Sequence, residues 1–393
     1  MKVRYIVVSV AIIIIVYLIY SWNRIEIKTF FNHGVTNVTW FNNNDNTADN
    51  IQEALDYAKR KGSVKLYFPA GQYKVNKALS LYQNTTLIFD KRATLIRTGE
   101  QIVMFMNAGQ DKGYKQRGKY DGEGNIHIIG GNFDFNIKNL PMDKSNFFVN
   151  INHANNVSIK GAKFYNFQAG HAIQIASSKN IRIENNEFCD QFINYSHYRL
   201  LDETIQIEVA NKVSFPSYGL YDDTISKNIT IRGNRFKNVI RGVGTHGIAR
   251  DKNGNILKSQ NITIENNVFE DIKDTAISLS GYDNVIVKNN DIDKNRKDAI
   301  SMNGVDYSRI LNNTITGSGE KGIYMKDSNF NMIRNNRLEN GNQSIYRLNS
   351  QFNVITDNTR VTKEPVPDLL PDSDGANFYA RLDSNKNQYQ AFL

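Results

Sequence analysis

The stretch NITIENNVF, residues 261–269, decides the fold, because near copies of it recur through two thirds of the chain. Anchored on their first position, the copies start at 125, 156, 180, 228, 261, 284, 307, 330 and 352; among them are NIRIENNEF, NITIRGNRF, NVIVKNNDI and YSRILNNTI. The last four intervals are 23, 23, 23 and 22 residues. Each copy alternates apolar positions, such as Ile262 and Ile264, with polar ones, then sets Asn266 and Asn267 before another apolar residue. That is a strand running into a turn: Asn tolerates the left-handed backbone a sharp turn needs, and stacked Asn side chains can hydrogen-bond along a ladder. A second strand completes each repeat, reading AIQIA from Ala172, TIQIE from Thr204, GVGTH from Gly242, AISLS from Ala276, AISMN from Ala299, GIYMK from Gly322 and SIYRL from Ser344. Short strands at this period, with Asn-rich turns and no helical stripe, mean a parallel solenoid, and the Leu and Asn spacing of a leucine-rich repeat is absent.

The repeats resemble those of right-handed parallel β-helix proteins. That resemblance implies an all-β solenoid of about ten coils, roughly 22–24 residues each. Ahead of them, TADNIQEALDYAKRKG, residues 47–62, reads as a helix, with Thr47 or Asp49 as N-cap, Ile51, Leu55 and Ala58 on one face and Gly62 as stop signal. This helix followed by YFPAGQY is similar to the N-terminal module of the pectate-lyase superfamily, where it caps the open end of the first coil.

The chain divides into a signal anchor or transmembrane helix at 1–22, a linker at 23–46, the capped solenoid at 47–361 and a C-terminal tail at 362–393 with Pro365, Pro367 and Pro371. The apolar run YIVVSVAIIIIVYLIY, residues 5–20, follows Lys2 and Arg4, and no small-x-small cleavage site ends it. An uncleaved anchor with the solenoid on the extracytoplasmic side is therefore expected. The net charge of +9 suits an anionic polymer, an anionic membrane surface or a bacterial envelope, but no Lys/Arg block marks a nucleic-acid footprint. Cys189 is the only cysteine, so stability comes from stacking rather than from an internal disulfide.

The even period fails in one region only. Between the strand starts at 180 and 228, one coil carries insertions at 189–202 and 210–223, and the next carries one around 249–258. Loops inserted on one side of a regular solenoid wall a groove. Phe192, Tyr195, Tyr198, Phe215, Tyr218 and Tyr221 crowd the first two, and aromatic faces suit sugar rings, with Tyr198 and Tyr218 the expected substrate contacts. Equivalent positions of the second strand become neighbours on stacked coils. The position before that strand carries Phe147, His171, Glu203, Arg241, Thr275 and Asp298; further along lie Gln174 and Gln206, then Glu208 and His246. His171, Glu203 and Arg241 should form one ladder beneath the insertions, with His153 and His197 near by.

DETIQIE, residues 202–208, resembles the adjacent acidic pair that precedes the same strand in polygalacturonase-type glycoside hydrolases. The resemblance implies that Asp202 and Glu203 act as catalytic acids, with His171 and Arg241 matching that family's basic residues in kind; the acid expected on the preceding coil is replaced by His171. The reading is a membrane-anchored glycosidase acting on a polysaccharide, with Glu203 the lead acid and Asp274 a reserve partner. The alternatives are a polysaccharide lyase or uronate epimerase, with Arg241 or His246 as base, and a non-catalytic glycan-binding solenoid. No cofactor or metal motif is visible, and only the lyase reading calls for calcium, through Asp202, Glu203 or Glu208.

Overall fold

The computed structural model describes residues 2–22, 24–41, 47–109, 114–141, 144–168, 170–193, 202–212, 220–341 and 343–361. Its strands form three all-parallel sheets of 12, 10 and 11 members, and in each sheet neighbouring strands come from successive coils. A coil contributes one strand to each sheet, so it has three strands where the sequence reading gave two. Ser259–Glu265 joins the 12-stranded sheet, Val268–Ile272 the 11-stranded sheet and Ile277–Ser280 the 10-stranded sheet. The strand that sequence missed is the short apolar stretch after the Asn pair. Three to six residues between turns carry too little alternation to be told from the turn itself.

The two Asn residues of each pair do different work. Asn266 takes the left-handed backbone at φ 54, as Asn289 and Asn312 do at the same turn. Asn267 points inward: its Nδ2 donates to Asn290 Oδ1 and to Ile231 O, both at 3.0 Å, and its Oδ1 accepts the Asn234 backbone N–H at 2.9 Å. The same bonds recur from Asn186 through Asn336, giving a buried ladder that supplies each turn with backbone partners. Inside, Phe133, Phe164, Phe188, Phe236 and Phe269 stack with centroids 4.6–5.2 Å apart, beside columns of buried Ile and Val.

The helix Ala48–Lys61 starts after Thr47, ends at left-handed Gly62, and buries Ile51, Ala54, Leu55 and Ala58 against the first coil. Within the stretch 23–46, the described residues 24–41 carry structure of their own. A helix covers Arg24–Phe31, and Thr36–Asn37 pairs in parallel with Val64–Phe68, with Val38 and Phe41 buried behind it. The N-terminal helix runs from Lys2 to Trp22, and its described side chains from Ser9 to Leu18 are exposed. Among the described residues no helix is long and apolar enough to cross a membrane.

Candidate functional site

The site lies on the outward face of the 10-stranded sheet, where the registers align residues from successive coils. Phe147 pairs with His171, Glu203 with Arg241, and Gln174 with Gln206, so the expected ladder exists. Glu203 is the first residue of its strand, Glu203–Glu208, rather than the residue before it. Its carboxylate is the hub. Oε1 accepts from Arg241 Nη1 at 3.2 Å and Oε2 faces His246 Nδ1 at 2.9 Å, while Glu203 is fully buried. Arg241 reaches on, donating from Nε to Asp274 Oδ1 at 2.7 Å. Lys297 Nζ lies 3.0 Å from the other Asp274 oxygen, an ion pair without hydrogen-bond alignment.

Both histidines hang on Glu203. His171 Nδ1 sits 2.5 Å from the Glu203 carbonyl oxygen, which can only accept, so the proton is on Nδ1 and Nε2 carries the lone pair. His246 Nδ1 likewise donates to the carboxylate. The two rings are 6.4 Å apart and nearly parallel at 19°. Burial pushes His171 below its ordinary pKa, against the upward pull of Asp202 and Glu203, so it is neutral near pH 7. Burial alone would raise the Glu203 carboxyl, but the hydrogen bond from His246 and the charge of Arg241 hold it below the usual carboxylate value. Glu203 is thus an ionised, anchored group.

Beside this network is a cavity of about 450 Å³. His171, Gln174, Asp202, Gln206, Glu208 and His246 line it, but Glu203 and Arg241 do not. The lead acid expected from sequence is therefore screened from the cavity, and Asp202, 1 % exposed, is the member of the acidic pair that reaches it. Gln174 Nε2 donates to Gln206 Oε1 at 3.2 Å and to Glu208 Oε1 at 2.7 Å, which fixes the amide row along the floor.

One wall is the third insertion. Residues 249–257 form a hairpin closed by the Arg250–Ile256 bridge and the Leu257 N–H to Ala249 O bond at 2.9 Å, and Asp251 accepts from Asn253 and Asn255 in its turn. Ile248, Ala249 and Leu257 face the cavity from it. Val209 and Asn211 line the cavity where the second insertion starts. The first begins later than read, since Glu187–Phe192 is a strand. Tyr198 and Tyr218, with Tyr195, His197 and Phe215, lie outside the described residues. Phe192 packs on the core instead, and Tyr221 is exposed. His153 is a pin between loops, its ring nitrogens 2.8 Å and 2.7 Å from the carbonyl oxygens of Lys119 and Leu220.

Among the lining residues that escaped the sequence reading are Lys144 and Tyr282. Lys144 lies between repeats and carries no signal. Tyr282 does: it occupies the column of Ser226 and Ser259, so a bulky residue replaces a serine, and its hydroxyl donates to Ile207 O at 2.6 Å under the cavity. Among the described residues no group of three or more His, Cys, Asp or Glu side chains is placed to hold a metal ion.

Comparison with known proteins bears on the fold. A family model for the right handed beta helix region matches residues 219–366. Plasmin and fibronectin-binding protein A of Streptococcus pneumoniae is 30% identical over 257 residues, 59% of this chain and 35% of that protein, so the chain spans about a third of that relative's length. The crystal structure of PfbA, a surface adhesin of Streptococcus pneumoniae, superposes with TM-score 0.67 at 22% identity, covering 83% of this chain and 90% of that one. The tailspike protein of Escherichia coli bacteriophage HK620, in complex with a pentasaccharide, gives TM-score 0.56 at 14% identity over 79% of this chain and 63% of the tailspike. The A-module of an Azotobacter vinelandii mannuronan C-5 epimerase gives 0.51 at 12% identity, covering 88% of this chain and 100% of the module.

Proposed function

The chain is a right-handed parallel β-helix protein, and from that premise we propose that it cleaves a glycosidic bond of a polysaccharide in the walled cavity on its 10-stranded sheet. The observation that carries this reading is one buried residue, Glu203, which holds His171 by its backbone carbonyl and His246 by its carboxylate, both beside a cavity that a second acid, Asp202, also reaches. Glu203 acts as the positioning group. Asp202 gives its proton to the oxygen of the departing sugar. His246, its Nδ1–H held by Glu203, takes through Nε2 the proton of the water that attacks the anomeric carbon. The water oxygen bonds to that carbon as the glycosidic bond breaks, and Asp202 and His246 then return to their starting states by exchange with solvent. Neutral His171 lines the same cavity as Asp202 and adds no charge to it.

The lining argues for a neutral rather than an acidic glycan. Besides the histidines and Asp202, which holds the proton it transfers, its charged residues are Glu208 and Lys144, so the lining offers a uronate carboxylate no net positive charge. Arg241 is a poor lyase base, being clamped between Glu203 and Asp274 and permanently protonated. The surface-adhesin relative favours a second reading, glycan or protein binding without turnover. Incubation of the full chain with neutral and acidic polysaccharides, read by product mass, separates the readings: hydrolysis releases reducing ends, a lyase releases unsaturated ends, and an adhesin releases nothing.

Anchoring through residues 1–22 belongs to the same proposal. The sequence supports it: the run at 5–20 is apolar apart from Ser9 and follows Lys2 and Arg4. With Lys2 and Arg4 on the inner side, the solenoid stands outside the cytoplasm, where a polysaccharide would be met.

A further inference from the structure

The row that contains Gln174 and Gln206 continues out of the cavity along the solenoid axis as Gly244, Ser278, Ser301, Tyr324 and Tyr346, in unbroken register. Gly244, Ser278 and Ser301 make a shallow floor. At Gly244 the floor is enforced, since a Cβ there would lie 1.7 Å from the Ser278 carbonyl oxygen. Then the row changes character. Tyr324 and Tyr346, half-buried, stand side by side with ring centroids 5.7 Å apart, and Lys321 Nζ lies 5.1 Å and 5.7 Å from them. Tyr324 is four rungs from Gln206, roughly 19 Å at the spacing of neighbouring strands. Beside it, one rung back, is Asp298, only 9 % exposed, whose Oδ1 has no hydrogen-bond partner and lies 3.8 Å from Lys321 Nζ. A buried carboxylate oxygen left without a donor costs stability unless something supplies one.

We infer that Tyr324, Tyr346, Lys321 and Asp298 form a distal subsite for a neutral sugar ring of the same polysaccharide chain that occupies the cavity. The inference rests on the glycan reading above and adds the direction of the chain, along the axis toward the C-terminal coils. A ring lying on the tyrosine pair places apolar C–H groups against aromatic surface, as aromatic platforms on binding grooves do. Its hydroxyls come within reach of Asp298, which accepts, and Lys321, which donates. The Ser and Gly floor leaves room for the intervening sugars, so only chains several sugars long span from cavity to platform.

The test is chain-length dependence with linear oligosaccharides of about two to eight sugars, taken as cello-, chito- and xylo-series, and their polymers. Affinity for the full chain is measured by calorimetry, and turnover by reducing ends. For the series the protein binds, Tyr324→Ala and Tyr346→Ala are expected to weaken long chains at least tenfold and to leave the shortest bound oligomers unchanged in KM and kcat. Tyr324→Phe, which keeps the ring, should behave as the parent and excludes a folding defect. Equal loss on short and long chains, no loss on either, or no binding of any series overturns the subsite. Tyrosine-dependent binding of long chains without turnover keeps the subsite and sinks the cleavage reading, so the two claims fail separately.

Discussion

Replacing the second Asn of the repeat should be far more damaging than replacing the first residue of the same nine-residue stretch, although both are asparagines in ladders. Asn267→Ala removes the acceptor of the Asn234 backbone N–H and of one Asn234 amide hydrogen, and the donor to Ile231 O. Asn290 Oδ1 keeps the Asn267 backbone N–H at 3.0 Å. Three polar groups in a region 1 % exposed are thus left unmet, at ~1–3 kcal/mol each before relaxation, so a loss of about 4 kcal/mol follows. Asn261→Ala loses two bonds as well, from Asn261 Nδ2 to Asn228 at 3.1 Å and from Asn284 Nδ2 at 2.7 Å, but all are exposed and water replaces them. What remains is the loss of asparagine's tolerance for the left-handed backbone at φ 56, at most about 1 kcal/mol. Urea unfolding of both variants, followed by far-ultraviolet circular dichroism with hydrogen exchange of the coils around residue 267, measures the difference. Equal losses in the two variants would refute the division of labour between inner and outer ladders.

Three further outcomes follow from charge and burial. Burial raises Asp298 from 3.8 to about 6, so the fold holds that proton more tightly than the unfolded chain does. The stability this gives is complete below pH 3.8 and lost as pH rises through about 6, and Asp298→Asn should gain up to about 3 kcal/mol over the parent near pH 8 but almost nothing in strong acid. Glu203 has the opposite sign: its lowered pKa contributes stability present above the ordinary carboxylate value and lost as pH falls through the folded one. Glu203→Gln leaves Arg241 and His246 without the charge that orients them and should cost about 3 kcal/mol in chemical denaturation; an unchanged midpoint would contradict the hub role. Protease added to intact cells should digest the solenoid while residues 1–22 stay with the membrane, and full protection of the solenoid would reverse the topology.

The fold was legible because a solenoid writes its period into the sequence, and the ladder followed by aligning repeats: His171, Glu203 and Arg241 do stack as the spacing requires. What alignment could not say is which of two adjacent acids faces the groove. Regular alternation breaks at the start of this strand, where Ala172 and Ile173 both point inward on the coil before, so the parity that would have favoured Asp202 over Glu203 is lost. The third strand of each coil hid in the turn after the Asn pair. Tyr282 was readable from its serine column, whereas Lys144 is brought to the cavity by a loop that no periodicity describes.

The most direct test of the account is Asp202→Asn in the full chain, assayed on the polysaccharide that the parent degrades, with binding measured on the same sample. The change keeps the size of a side chain that lines the cavity and removes its transferable proton. The account predicts that binding persists while release of reducing ends falls by at least ~10²-fold. Reducing ends released at the parental rate, or a parent protein that binds glycan and releases none, would contradict it.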